Sequence, residues 1–285
     1  MAVTLRSEHA CFGGTVGFYS HESAVTGTEM NFSVFLPPHA RSGAQPAALP
    51  TLTYLAGLTC TEETFMIKAG AQRLAADYGL MLVCPDTSPR RVAPAEQDGD
   101  WDFGSGAGFY LDATVEPWSR HFRMYSYVTQ ELPALIAAEF PADPARQSIF
   151  GHSMGGHGAL ISALKNPGTY RSVSAFAPIA APLRCPWGEK AFTGYLGEDR
   201  SAWTAYDASE LVKQAEERLP LLIDQGSDDQ FLETQLNPEL FEAACAEAGH
   251  PLELRRQPGY DHGYYFISTF MADHLAHHAK ALGLI

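Results

Sequence analysis

The chain has 285 residues, 46% apolar and 18% charged, a balance that supplies a sizeable buried core and excludes a disordered polymer. Nineteen Lys and Arg face 33 Asp and Glu, a net charge of −14, which excludes nucleic acid and an anionic membrane surface as the main partner. An anionic substrate would then need a local basic contact. Cys11, Cys60, Cys84, Cys185 and Cys245 are scattered, with no CxxC pair, so the expectation is reduced thiols in the cytoplasm rather than a zinc site or disulfide framework. The opening MAVTLRSEHACFGG lacks the apolar core of a secretory signal, and no apolar run approaches the roughly 18 residues of a membrane-spanning helix.

In chain order, MNFSVFLP (30–37) reads as a strand that alternates and then turns apolar. The Pro/Ala-rich PPHARSGAQPAALP (37–50) follows as a loop, then TLTYLAG (51–57) as a buried strand. FMIKAGAQRLAADYG (65–79) reads as a helix closed by Gly79, and LMLVCPDTSP (80–89) as a strand broken by proline. The glycine-, acid- and aromatic-rich stretch 95–118 is expected to be a long excursion over the strand ends. SYVTQELPALIAAEF (126–140) reads as a helix despite Pro133, QSIFGHS (147–153) as a strand, GGHGALISALKNPG (155–168) as a helix and VSAFAPIA (173–180) as a strand. LPLLIDQGS (219–227) and PLELRRQPG (251–259) are the last two strands, with a helix over 239–249 between them and an amphipathic helix over 264–282 after them. Strands alternating with helices predict one α/β domain over 1–285, with a mostly parallel sheet covered on both faces. Chemistry is then expected in the loops at the carboxyl ends of the strands.

Gly151-His152-Ser153-Met154-Gly155 fits G-x-S-x-G, with an apolar strand before it and a small-residue helix after it. That context marks Ser153 as a nucleophile on a sharp turn whose glycine neighbours leave room. A serine hydroxyl needs a histidine to take its proton and an acid to orient that histidine, and on this fold the acid and then the histidine follow in the chain. Of the six histidines after Ser153, His262 follows the last strand, whereas His250 precedes it at the wrong end of the sheet. His157 lies one turn into the nucleophile helix and reads as a packing or surface residue. His274, His277 and His278 read as solvated residues near a helix C-terminus, with a metal site the lesser alternative. Asp224 sits at a strand end before Gly226 and reads as structural; Asp228 and Asp229 lie in the loop beyond it, and periodicity does not separate them. Asp261 reads as a surface residue. The oxyanion of acyl transfer needs backbone donors: Met154 N–H follows the nucleophile, and Leu58 N–H is the leading candidate in the loop after 51–57.

LAGLTCTEETFMIKAGAQ, CPDTSPR, GAGFYLDAT, GHSMGGHGAL, CPWGEKAFTGYLG, DQGSDDQFL and GYDHGYYFISTFMADHLAHHAK together resemble the S-formylglutathione hydrolases, the esterase D family, in order over nearly the whole chain. The resemblance implies an α/β-hydrolase serine thioesterase that converts S-formylglutathione to glutathione and formate, with side activity on small carboxylesters. It implies Asp229 rather than Asp228 as the acid, beside Ser153 and His262, with Leu58 and Met154 as oxyanion donors. It further implies a cytoplasmic homodimer without metal or organic cofactor. Cys60 and Trp187 are its pocket candidates; for each the alternative is a plain packing role. Two positions depart from the family pattern: Gly263 after the histidine and Ala56 before the oxyanion loop, where serine is frequent. Lys68, Arg90, Arg91, Arg184 and Lys190 are unranked candidates for the glutathione carboxylates.

Overall fold

A computed structural model describes residues 2–41, 48–90, 92 and 99–285. Among them, β1 (Val3–Cys11), β2 (Gly14–Ser23) and β3 (Thr28–Leu36) form an antiparallel meander. β4 (Leu49–Leu55), β5 (Met81–Pro85), β6 (Ala142–His152), β7 (Val173–Phe176), β8 (Leu221–Gly226) and β9 (Leu252–Gln257) are parallel to one another. The sheet order is β1-β2-β3-β5-β4-β6-β7-β8-β9, with β3 antiparallel to β5. Register aligns Leu55 with Gly151, His152 with Phe176, Phe176 with Asp224, and Gly226 with Gln257. The carboxyl ends of β4, β6, β7, β8 and β9 therefore lie along one rim. No helix among the described residues is long and apolar enough to cross a membrane.

β1 and β2 had no counterpart in the hydrophobic pattern. Nearly every β1 side chain is exposed, so no alternation marks it. β2 is the opposite case: GTVGFYSHES is polar to the eye yet buried at all but one position. Tyr19 meets Phe140 edge-on at 5.2 Å, and His21 stacks on Tyr127 while its Nε2 pairs with the Tyr127 hydroxyl at 3.1 Å. The covering helix, not the strand's own composition, makes β2 interior.

Two helices also differ from the periodic pattern. The expected helix over 65–79 is two, Glu62–Lys68 and Gln72–Tyr78, because Gly70 turns left-handed between them (φ 70°). Gly79 closes the second, also left-handed, as its position predicted. Pro133 is accommodated because a widened turn over Tyr127–Glu131 precedes it, leaving Pro133 in the first turn of Leu132–Glu139, where its missing N–H has no partner to lose. The described part of the excursion, residues 99–118, has only isolated bridges apart from the start of a short 3-10 turn at Trp118.

Close packing of the Met154–Lys165 helix on the sheet fixes its glycines. A Cβ on Gly155 would strike the Leu55 and Ala56 carbonyls, and one on Gly158 the Tyr110 ring. Both carbonyls at Gly155 are backbone, at the end of β4 and the residue after it, so no side-chain rotation relieves the contact. Gly155→Ala is therefore expected to lower stability by about 1–3 kcal/mol, read as a lower urea midpoint at unchanged m-value.

Candidate active site

Ser153 links β6 to its helix with φ 58° and ψ −120°, a conformation that costs a non-glycine residue strain energy and persists only where surroundings impose it. Here they do. Ser153 N–H donates to the Phe176 carbonyl at 2.9 Å, and the Ser153 carbonyl accepts from His157 and Ile179 N–H at 3.0 and 3.2 Å. A Cβ at Gly57 would come within 3.2 Å of Ser153 Cβ, so the turn after β4 lies directly against the serine. Met154 opens the helix, where first-turn N–H groups lack intrahelical acceptors.

The turn carrying Leu58 is held on every side. Thr59 N–H donates to Gly106 O at 2.9 Å and Cys60 N–H to Gly57 O at 3.3 Å, with Thr59 left-handed (φ 67°). Arg90 braces it from below: its guanidinium bonds Asp86 (2.6 Å) and the Cys60 carbonyl (2.9 Å). Tyr110 hydroxyl reaches the Ala56 carbonyl at 2.9 Å. The glycine-rich excursion thus supports this turn through Gly106 and Tyr110.

Asp228 and Asp229 separate cleanly. Asp228 is exposed and accepts from the Ser227 hydroxyl. Asp229 is buried, accepts from Phe231 N–H at 2.8 Å and Gln225 Nε2 at 3.2 Å, and meets His262 Nδ1 at 2.5 Å. Nδ1–H donates to Asp229 Oδ2, which leaves Nε2 on the side of the ring away from the carboxylate. The His262 ring is 4.4 Å from that of His152, the residue before Ser153, and 5.0 Å from Phe231. His262 opens on a cleft of about 330 Å³ shared with Asp228, Gln230, Phe231, Asp261 and Gly263. His152 and Phe231 were not singled out in the sequence, although each adjoins or nearly adjoins a motif residue.

Trp187 is buried, its main-chain N–H donating to Gln235 Oε1 at 2.9 Å and its ring 4.7 Å from Phe231 and 5.7 Å from exposed Trp101. It reaches His262 only through Phe231. Cys60 is half-buried near Thr64 and Tyr264, and burial pushes its thiol up from the ordinary range. Among the basic candidates, Arg90 is spent on the turn, Lys190 pairs with Asp100 and Asp102 at 2.8 and 2.5 Å, and Lys68 lies over the Tyr264 ring. Arg184 is exposed on a pocket of about 810 Å³ that none of Ser153, Asp229 or His262 lines. Arg91 lies outside the described residues.

The helix histidines correct an expectation. His274 and His278 are fully buried, not solvated, because the last helix lays this face on β7 and β8. His278 bridges Ser172 and Ser174 (2.7 and 2.8 Å), and Ser174 meets His274 Nδ1 at 2.8 Å. His274 Nε2 meets Asp224 at 3.0 Å, and Asp224 also accepts from Arg255 and Gln257. Burial alone raises the Asp224 carboxyl, but bonds from His274, Arg255 and Gln257 outweigh it and hold it down to about 2. Asp224 is structural, as its place before Gly226 suggested. His157 is likewise internal: Nε2 pairs with the Phe109 carbonyl at 3.0 Å, and burial lowers it to about 4. His250 pairs with the Leu219 carbonyl at the opposite end of the strands.

A strained serine between a parallel strand and a glycine-packed helix, with an aspartate-bound histidine on a neighbouring rim loop, defines a serine hydrolase of the α/β-hydrolase fold. The Esterase family model, described as "Putative esterase", matches residues 23–277. S-formylglutathione hydrolase of Mus musculus is 57% identical over 99% of both chains, and that of Bos taurus 54% over 99% of both. The solved S-formylglutathione hydrolase of Agrobacterium tumefaciens superposes with a TM-score of 0.93 at 53% identity, covering 98% of this chain and 99% of its own. A fluorophosphonate-binding serine hydrolase of Staphylococcus aureus, 20% identical, shares the fold at a TM-score of 0.76 over 93% of this chain and 98% of its own. The chain belongs to the S-formylglutathione hydrolase family.

The depressed Asp224 carboxyl carries a pH signature. The unfolded chain takes this proton near the ordinary 3.8, the folded protein only near about 2, so the contribution is complete above pH 4 and lost as pH falls through 2. Asp224→Asn is expected to cost about 2–4 kcal/mol at pH 7, and urea midpoints against pH should show a shallower acid decline than wild type.

Proposed function

We propose that the chain is a serine thioesterase that hydrolyses S-formylglutathione to glutathione and formate, with side activity on small carboxylesters. The observation that carries it is His262 Nδ1 seated on buried Asp229 at the rim that also holds Ser153, in a chain of this family. His262 Nε2 takes the Ser153 proton as Oγ attacks the formyl carbon. The C–O bond forms, the carbonyl π pair moves to oxygen, and the N–H groups of Leu58 and Met154 receive the oxyanion. Collapse breaks the C–S bond and the sulfur leaves with the proton from His262. Water then attacks the formyl ester with His262 again as base, releasing formate and restoring Ser153. Asp229 remains ionised and stabilises the imidazolium. Buried Trp187 and half-buried Phe231 and Cys60 support a narrow acyl site suited to a formyl group.

Family resemblance supports a cytoplasmic homodimer acting without metal or organic cofactor; molar mass by light scattering at micromolar concentration checks the dimer. A general short-chain carboxylesterase is the alternative reading, and the specificity comparison below decides between them.

Ser153→Ala is expected to lose at least about 10⁴-fold in kcat. Asp229→Asn should lose about 10⁴-fold while Asp228→Asn stays within about threefold. The converse ranking would reassign the acid. kcat/KM for S-formylglutathione should exceed that for aryl acetates and fall with each added acyl carbon; equal values would favour the general esterase.

A further inference from the structure

His152 takes no part in the reaction as written, yet it is wedged into the site. It ends β6 immediately before Ser153, is 6% exposed, and lies with its ring centroid 4.4 Å from His262 and 6.3 Å from Tyr264. It also backs onto the oxyanion turn, since a Cβ at Gly57 would come within 3.2 Å of His152 Nδ1. The His262 main chain lies beside the ring. Even so, neither ring nitrogen reaches a partner with hydrogen-bonding geometry among the described residues, and both are sealed from solvent. Unpaired buried nitrogens cost stability, and a leucine or phenylalanine would fill the space without that cost. Packing alone therefore does not account for an imidazole here.

We infer that His152 is a positioning residue for the base: its uncharged ring favours the imidazolium that His262 becomes while it holds the Ser153 proton. Burial, and the nearness of His262, push His152's own protonation well below the ordinary histidine range, so only one of the two rings charges. A cation within about 6 Å of a neutral aromatic centroid is attracted to the ring, more strongly where water is excluded. That attraction is absent while His262 is neutral, so it acts on the transition state and appears in kcat. The other ionisable groups facing the pair are Asp229 on His262, Tyr264 beside His152, and Asp228 and Asp261 on the shared cleft. All four are unchanged in the variants below.

The inference rests on His262 as the base, and the experiment keeps the two apart. p-Nitrophenyl acetate, which does not titrate, is the substrate for pH profiles of wild type, His152→Leu, His152→Phe and His262→Ala. Thermal unfolding confirms the fold, and end-point fluorophosphonate labelling counts competent sites. In His152→Leu we expect kcat about tenfold lower, KM within about twofold, and the acid limb of kcat/KM displaced to lower pH by about one unit. His152→Phe keeps a ring and should stay within about threefold of wild type in kcat. An acid limb that is unmoved or moves up in His152→Leu overturns the inference, as does a Phe variant as impaired as the Leu variant. If neither variant folds, histidine NMR titration of wild type decides: His152 must stay uncharged while His262 titrates, and protonation of His152 first overturns the proposal. Turnover retained by His262→Ala would instead sink the reading of the base.

Discussion

The arrangement depends on one backbone constraint, the positive-φ turn at Ser153. Its N–H is tied to the end of β7 and its carbonyl to the first turn of its own helix and to Ile179. Holding an L-residue there requires the helix to lie almost on the sheet, which is why Gly155 has the Leu55 and Ala56 carbonyls where its side chain would be. The same close approach brings the turn after β4 against the serine. Ser153 and the turn that carries Leu58 are thus positioned by a single packing requirement.

The molecule contains two Asp–His contacts with opposite fates. Asp229 and His262 lie on rim loops, and the imidazole keeps 15% of its surface in solvent beside an open cleft. Asp224, His274 and Ser174 form a hydrogen-bonded Asp–His–Ser set elsewhere in the fold, with the Asp224 and His274 side chains fully enclosed. The enclosed set can hold no substrate. It instead fastens β8, β9 and the last helix to one carboxylate, and those elements carry Asp229 and flank His262. Chemistry and rigidity here use the same functional groups and differ only in access.

Much of this was legible in the chain. Seven of the nine strands were readable as alternating or apolar segments or from their place in the strand–helix order, and GHSMG declared its turn because a glycine-flanked serine between strand and helix has few other uses. The missing elements have physical reasons. β1 is an exposed edge with no buried face to imprint a period, and β2 is buried by a helix more than 100 residues away in sequence. Gly70 was read as one more helix residue, since a single glycine is tolerated in a helix as often as it breaks one. His274 and His278 were misjudged because position near a helix end says nothing about which face meets the sheet.

The sequence by itself determined the fold class and the family, because strand and helix periods, turn chemistry and motif order are local or one-dimensional properties. Periodicity left Asp228 and Asp229 alike and the family motif favoured Asp229; the tertiary structure shows the physical difference, because adjacent residues on one loop differ in direction, and direction is set by the Gln225, Phe231 and His262 contacts. The tertiary structure alone spent Arg90 on a part-buried ion pair with Asp86 and Lys190 on surface pairs with Asp100 and Asp102, and it alone set His152 against His262. Those are distances between residues far apart in the chain, and the folded sheet is what makes them short.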